Sequence, residues 1–183
     1  MPIDAWRARP FAALVIAAAF AGPAKADDWQ TCAKGAGDEA IAACTRAIKS
    51  GIYNGKTLAL AYSNRGVEWK AKGELATAIA DYDEAIKADP QQPAAYNNRG
   101  IAHAAGAQYD KAIADYNKAN PKYASALNNR GLAYFSSGRQ ERALADYDEA
   151  IKIEPDAVRL NNRGNAYASR AQYDRAIQTS TRR

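Results

Sequence analysis

The tetrapeptide Asn97-Asn98-Arg99-Gly100 recurs along the chain as Ser63-Asn64-Arg65-Gly66, Asn128-Asn129-Arg130-Gly131 and Asn161-Asn162-Arg163-Gly164. The glycines Gly66, Gly100, Gly131 and Gly164 are 34, 31 and 33 residues apart. Three residues after each Gly comes a ring, in Trp69, His103, Tyr134 and Tyr167, and twelve after it an alanine, in Ala78, Ala112, Ala143 and Ala176. Tyr82, Tyr116 and Tyr147 follow at sixteen residues and Ala85, Ala119 and Ala150 at nineteen. Steps of four and three place these later positions on one helix face. Each unit therefore reads as a pair of short helices.

The residue types say how the pair is held. A glycine inside a helix costs about 1 kcal/mol relative to alanine, so its recurrence implies a close approach of a neighbouring helix. The expectation is that the alanines of the second helix meet the glycine while Tyr and Trp rings fill the adjacent gaps. Pro90 and Pro155 end second helices, and Gly73 and Gly138 sit in the turns within units.

A period near 34 carrying these residues resembles the tetratricopeptide repeat, or TPR. The resemblance runs from about Leu58 to Ile177. It implies an all-α fold, a right-handed superhelical solenoid of antiparallel helix pairs, with about four repeats behind an N-terminal helical cap that a Cys32–Cys44 disulfide, read below from the cysteine pair, would tie together. The units are placed at 57–90, 91–121 (shortened near Asn120-Pro121), 122–155 and 156–183 (its second helix incomplete). Residues 27–53 form the cap or a degenerate repeat, in which Asp38 to Ile48 aligns with the second helices and Cys44 stands where the Tyr would be.

The first 26 residues read differently. Arg7 and Arg9 precede an uncharged apolar run from Phe11 to Ala21, and Gly22-Pro23 leads into Ala24-Lys25-Ala26. This is the pattern of a secretory signal peptide cut after Ala26. The run is too short for the roughly 20 residues of a spanning helix, so an inner-membrane anchor formed by an uncleaved signal is the alternative. Export to a bacterial periplasm or beyond is expected, with no stable membrane insertion afterwards. Outside the cytosol the two cysteines, Cys32 and Cys44, read as a disulfide, the alternatives being free thiols or a redox role. Closing that loop is worth about 3 kcal/mol in the chain-entropy model.

Composition excludes several functions. The 183 residues carry 25 basic and 20 acidic side chains. Removing residues 1–26, which hold Arg7, Arg9, Lys25 and Asp4, lowers the formal charge from +5 to +3. That small, interleaved surplus argues against nucleic-acid binding. Two cysteines and one histidine leave little for a metal site, and no cofactor is implied. No nucleophile-elbow, P-loop, zinc-protease or dinucleotide fingerprint occurs, so an enzyme is not expected.

Three candidate groups remain. Arg65, Arg99 and Arg130 precede their glycines, and Asp81, Asp115 and Asp146 follow those glycines by fifteen residues. An interhelical ion pair explains both series, against a ligand-binding reading. Arg163 meets Thr179 at the matching place and is expected to be freer. His103 is expected to pack as a core ring. Asp83-Glu84 and Asp148-Glu149 read as surface acids beside Lys87 and Lys152. The third group is a stripe on the first helices, Asn97, Ile101 and Ala105; Asn128, Leu132 and Ser136; Asn161, Asn165 and Ser169, preceded by Ser63, Val67 and Ala71. In proteins resembling this one, that face lines a groove for an extended peptide. Asn97, Asn128, Asn161 and Asn165 would bond its backbone, and Ile101, Leu132 and Phe135 would hold its side chains; a solvated helix face is the alternative. The stripe has no Lys or Arg, which disfavours a partner held by its terminal carboxylate. The resulting expectation is a non-enzymatic scaffold for a protein or peptide, with homo-association through the last unit as the alternative.

Overall fold

A computed structural model describes residues 26–119 and 123–180, with side chains over 27–119 and 123–171. Residues 1–25, nearly all of the expected signal peptide, the junction Asn120-Pro121 and the side chain of Thr179 lie outside the described residues. The described residues form helices without strands: α1 (Ala26–Lys34), α2 (Gly37–Lys49), α3 (Gly55–Ala71), α4 (Leu75–Ala88), α5 (Pro93–Ala105), α6 (Tyr109–Lys118), α7 (Ala124–Ser136), α8 (Gln140–Ile153) and α9 (Ala157–Ser180). Successive helices pack on each other, and each odd-numbered helix also touches the next odd-numbered one. Among the described residues, none of α2, α4, α6 and α8 touches another of that set. The array is thus a solenoid of helix pairs. Its first helices crowd together on the inner face, and its second helices spread on the outer one.

The turns within units share one geometry. Gly73 donates to Lys70 O and Glu74 to Trp69 O, each at 2.9 Å, and the same bonds recur from Gly138 to Phe135 O and from Arg139 to Tyr134 O. This is the left-handed helix stop that glycine favours, with φ of +81° at Gly73 and +78° at Gly138. In the second unit Ala107 takes the position, at φ +56°, and donates to Ala104 O at 2.9 Å. In the fourth unit that position is Ala171, and α9 runs through it as one helix to Ser180. The expected helix pair is there a single continuous helix.

The repeated glycines hold a different partner from the one expected. A Cβ on Gly66, Gly100 or Gly131 would stand 2.7, 2.6 or 2.7 Å from Cε1 of Tyr82, Tyr116 or Tyr147. The tyrosine ring, rather than an alanine, meets the glycine backbone. The alanines instead let the second helices close on their neighbours: Ala78, Ala85, Ala112, Ala143 and Ala150 are fully buried. Tyr82 and Tyr147 are 0% and 1% exposed, so each ring seals its unit; truncating such a ring costs about 3–5 kcal/mol.

At the N-terminal end Cys32 and Cys44 form a disulfide between α1 and α2. Their sulfurs lie in a small core with Ala43 and Ala61, and Trp29 and Ile48 pack against it. Cys44 stands where the tyrosine of a full unit would be, so the covalent link replaces the ring. Asp28 accepts from Arg46 Nε and Nη2 at 2.9 and 2.6 Å, a second tie between the two helices.

Candidate functional site

The arginines before the glycines stitch the solenoid in two directions. Arg65 Nε and Nη2 donate to the two carboxylate oxygens of Asp81 at 2.8 and 2.7 Å. Arg99 does the same to Asp115 at 2.9 and 2.6 Å, and Arg130 to Asp146 at 2.7 and 2.6 Å. These bidentate bonds join the two helices of a unit. The third guanidinium nitrogen, Nη1, reaches back to the preceding unit: to Thr45 at 2.9 Å from Arg65, to Asp83 from Arg99, and to Asn117 at 2.6 Å from Arg130. Hydrogen bonds to the buried aspartates hold these guanidinium pKa values above the ordinary range, against the opposing effect of burial. Arg163 is not free: its Nη1 donates to Asp148 at 2.9 Å. Asp83 and Asp148 are therefore latches between units, whereas Glu84 and Glu149 do pair with Lys87 and Lys152 at 2.5 and 3.1 Å. The spacing that would have revealed the latch is two residues beyond the repeated aspartate, where Thr45, Asp83, Asn117 and Asp148 share acceptor chemistry but not identity.

The asparagines correct a second expectation. Asn97 and Asn128 are 5% and 8% exposed. Asn97 Oδ1 accepts from Asn129 Nδ2 at 3.2 Å, and Asn128 Oδ1 from Asn162 Nδ2 at 3.0 Å. α5, α7 and α9 are thus zipped in succession, with Asn128 of α7 accepting from α9 and Asn129 of α7 donating to α5. Buried in that seam, Asn97 and Asn128 do not face a groove. Asn161 and Asn165 are exposed, but on α9. Phe135 also leaves the groove: it packs with Tyr134 on Ala143, Leu144, Tyr147 and Ala166. Three residues from Leu132, it is rotated roughly 60° around α7 toward the next unit.

Ile101 and Leu132 remain at the inner face. They line a cleft of about 320 Å³ between α5 and α7 and floored by α6, together with Ala104, Ala105, Tyr109, Tyr116, Asn129, Ala133 and Ser136. Ile101 is partly buried against Ala112, Ile113, Tyr116 and Ala133, while Leu132 is 39% exposed. The lining carries no charged side chain. Its polar groups are the Asn129 amide and the Ser136 and tyrosine hydroxyls. Burial pushes the Tyr116 phenol well above its ordinary pKa, so it stays protonated and able to donate. Such a surface can bind apolar side chains and bond a few backbone groups, but it offers no nucleophile and base in contact. His103 lies outside it, with Nδ1 3.0 Å from Gln108 Oε1 and Nε2 3.9 Å from Asp115 Oδ2. Among the described residues no group of three His, Cys, Asp or Glu could hold a metal ion, and no helix is long and apolar enough to cross a membrane.

Comparison with known families gives the repeat its name. Residues 69–106 match the model for the TPR repeat, and residues 93–120 and 124–156 match models for the tetratricopeptide repeat. The chain carries tetratricopeptide repeats. No curated protein sequence matches it significantly. Among solved structures, the first TPR domain of Spaghetti (RPAP3), bound to the HSP90 peptide SRMEEVD, aligns at 28% identity and a TM-score of 0.62, covering 66% of this chain and 99% of that one. The first TPR domain of human RPAP3 aligns at 27% identity and a TM-score of 0.64, covering 66% of this chain and 98% of that one. The Sgt2 TPR domain from Aspergillus fumigatus shares the fold at 24% identity and a TM-score of 0.64, over 67% of this chain and 85% of that one. Of these three, the Spaghetti domain is the one described with a peptide bound.

Proposed function

We propose that this TPR array is an exported, non-enzymatic scaffold that holds an extended, uncharged peptide segment against its inner face. The observation that carries the reading is the cleft between α5 and α7, apolar at Ile101, Leu132 and Ala133 and polar only at Asn129, Ser136 and the tyrosine hydroxyls. A rigid solenoid presents this surface ready formed, so little freedom is lost on docking. The Spaghetti domain holds an acidic peptide, SRMEEVD. The inner stripe of this chain has no Lys or Arg to meet such charges, so its partner differs in chemistry. Export is supported by the leader-like residues 1–26 and by the Cys32–Cys44 disulfide, a bond that persists in oxidising compartments such as the periplasm.

The test is selection of random dodecapeptides on the wild type and on Leu132→Glu. Because Leu132 is 39% exposed, the variant keeps its melting temperature. The wild type enriches apolar peptides that the variant does not, and SRMEEVD fails to compete for them. Identical enrichment on both proteins, no enrichment, or effective competition by SRMEEVD contradicts the reading. For location, osmotic shock releases a form beginning at Asp27; a full-length cytosolic chain contradicts export.

A further inference from the structure

The last described helix differs from every other first helix in what covers it. Gly66, Gly100 and Gly131 are buried under tyrosine rings, whereas Gly164 is exposed with nothing within 4 Å of an added Cβ. Beside it Leu160 is 45% and Tyr167 50% exposed, while the matching Leu127 is 6% exposed and the matching Tyr134 is half-buried. The hollow is the seat that a second helix occupies in each preceding unit.

The chain contains a segment matching the start of the helix that fills this seat, with Ser180 where Tyr82, Tyr116 and Tyr147 cover their glycines. Ala171-Gln172-Tyr173-Asp174-Arg175-Ala176-Ile177 repeats Ala107-Gln108-Tyr109-Asp110-Lys111-Ala112-Ile113 with a single change, Lys to Arg. In the second unit that sequence turns back at Ala107 and its Ala112 and Ile113 pack into the core beside Ala104. In the fourth unit α9 continues straight through Ala171. At about 1.5 Å per residue, Ala176 then lies about 18 Å along the axis from Gly164, out of reach of its own seat. Alanine is the best helix former and a poor occupant of the left-handed stop. In the second unit the stop is held because α6 packs on both α5 and α7; among the described residues α9 packs only on α7 and α8.

We propose that two copies of the chain exchange these segments: residues 172–180 of each α9 lie in the hollow at Leu160, Gly164 and Tyr167 of the other. Such a reciprocal exchange closes as a two-fold dimer and leaves no further surface to propagate. It does not depend on the peptide reading of the inner cleft, which lies between α5 and α7.

Sedimentation equilibrium of the purified protein and of Ala171→Gly tests the exchange. The wild type is a dimer at micromolar concentration. Ala171→Gly, which restores the glycine of the first and third turns, weakens dimerisation at least tenfold, or about 1.4 kcal/mol, by letting the segment fold back. A wild-type monomer at tens of micromolar, or an unchanged dimer in the variant, overturns the proposal. A second variant, Ala168→Cys with Ala176→Cys, places thiols at the positions matching Ala104 and Ala112. Oxidation gives covalent dimers if segments are exchanged. An intramolecular bond, or no bond, overturns it.

Discussion

Replacing the repeated glycines by alanine, one at a time, has effects of opposite sign along one chain. In a helix interior the change gains about 1 kcal/mol from propensity. At Gly100 the new methyl carbon would stand 2.6, 2.9 and 3.0 Å from Cε1, Cδ1 and Cζ of Tyr116. Carbon atoms settle at about 3.5–4.0 Å, so ring or helix must move by about 1 Å. Tyr116 is 4% exposed, with Ala112, Ile113 and Ala133 around it, so the ring moves only by displacing these neighbours or by intruding on the cleft it lines. Overpacking of this kind costs about 1–3 kcal/mol, more than the propensity gain. At the middle of that range Gly100→Ala is destabilised by about 1 kcal/mol net, and Gly66→Ala and Gly131→Ala behave alike. Gly164→Ala meets no ring, since Ser180 stands at the tyrosine position of its unit, and gains about 1 kcal/mol. In urea titrations followed by helix content, with a slope of about 2 kcal/mol per molar, the midpoints of Gly100→Ala and Gly164→Ala move about half a molar in opposite directions. A rise in the midpoint of Gly100→Ala, or a fall in that of Gly164→Ala, would refute the idea that the ring on the glycine sets the helix spacing.

Three further perturbations follow from the same contacts. Ala107→Gly relieves the left-handed alanine at φ +56° and raises stability by about 1 kcal/mol, read as a higher urea midpoint. Arg99→Ala strips the 5%-exposed Asp115 of its bidentate partner and frees Asp83; leaving a buried carboxylate unpaired costs about 3 kcal/mol, and the melting temperature falls accordingly. Burial, with a smaller contribution from Asp146, pushes the Tyr147 phenol up to about 12. Its pKa is higher folded than unfolded, so its contribution to stability is complete below pH 10 and is lost as pH rises toward 12. Alkaline unfolding therefore tracks tyrosinate absorbance, and Tyr147→Phe is more resistant over that range.

The repeat was legible because glycine, ring and alanine recur at fixed spacings, and packing against identical neighbours demands identical residues. The pairing of Arg65, Arg99 and Arg130 with Asp81, Asp115 and Asp146 could be read for the same reason, since charge complementarity sits on a constant spacing. Spacing gives the face of a helix, however, and not the reach of a side chain. It could not tell that Tyr116 rather than Ala112 would lie on Gly100, or that Phe135 would turn toward α8. The second arginine contact escaped notice because threonine, asparagine and aspartate all serve as acceptors, so chemistry repeats without sequence. Asn97 and Asn128 were misplaced because an amide suits a bound peptide and an interhelical seam equally well; burial decides for the seam. The straightening of α9 at Ala171 turns on one residue in a left-handed position, and Ala107 shows that alanine can occupy the same position in a turn when neighbours hold it there.

The proposed seat of the partner is the inner cleft at Ile101 and Leu132. Methyl chemical-shift mapping with a selected apolar dodecapeptide tests it most directly. The expected outcome is that the Ile101 and Leu132 methyls shift on titration while those of Val158 and Leu160 on α9 do not. Shifts confined to α9 or to the outer helices α4 and α8, with Ile101 and Leu132 unmoved, would contradict it.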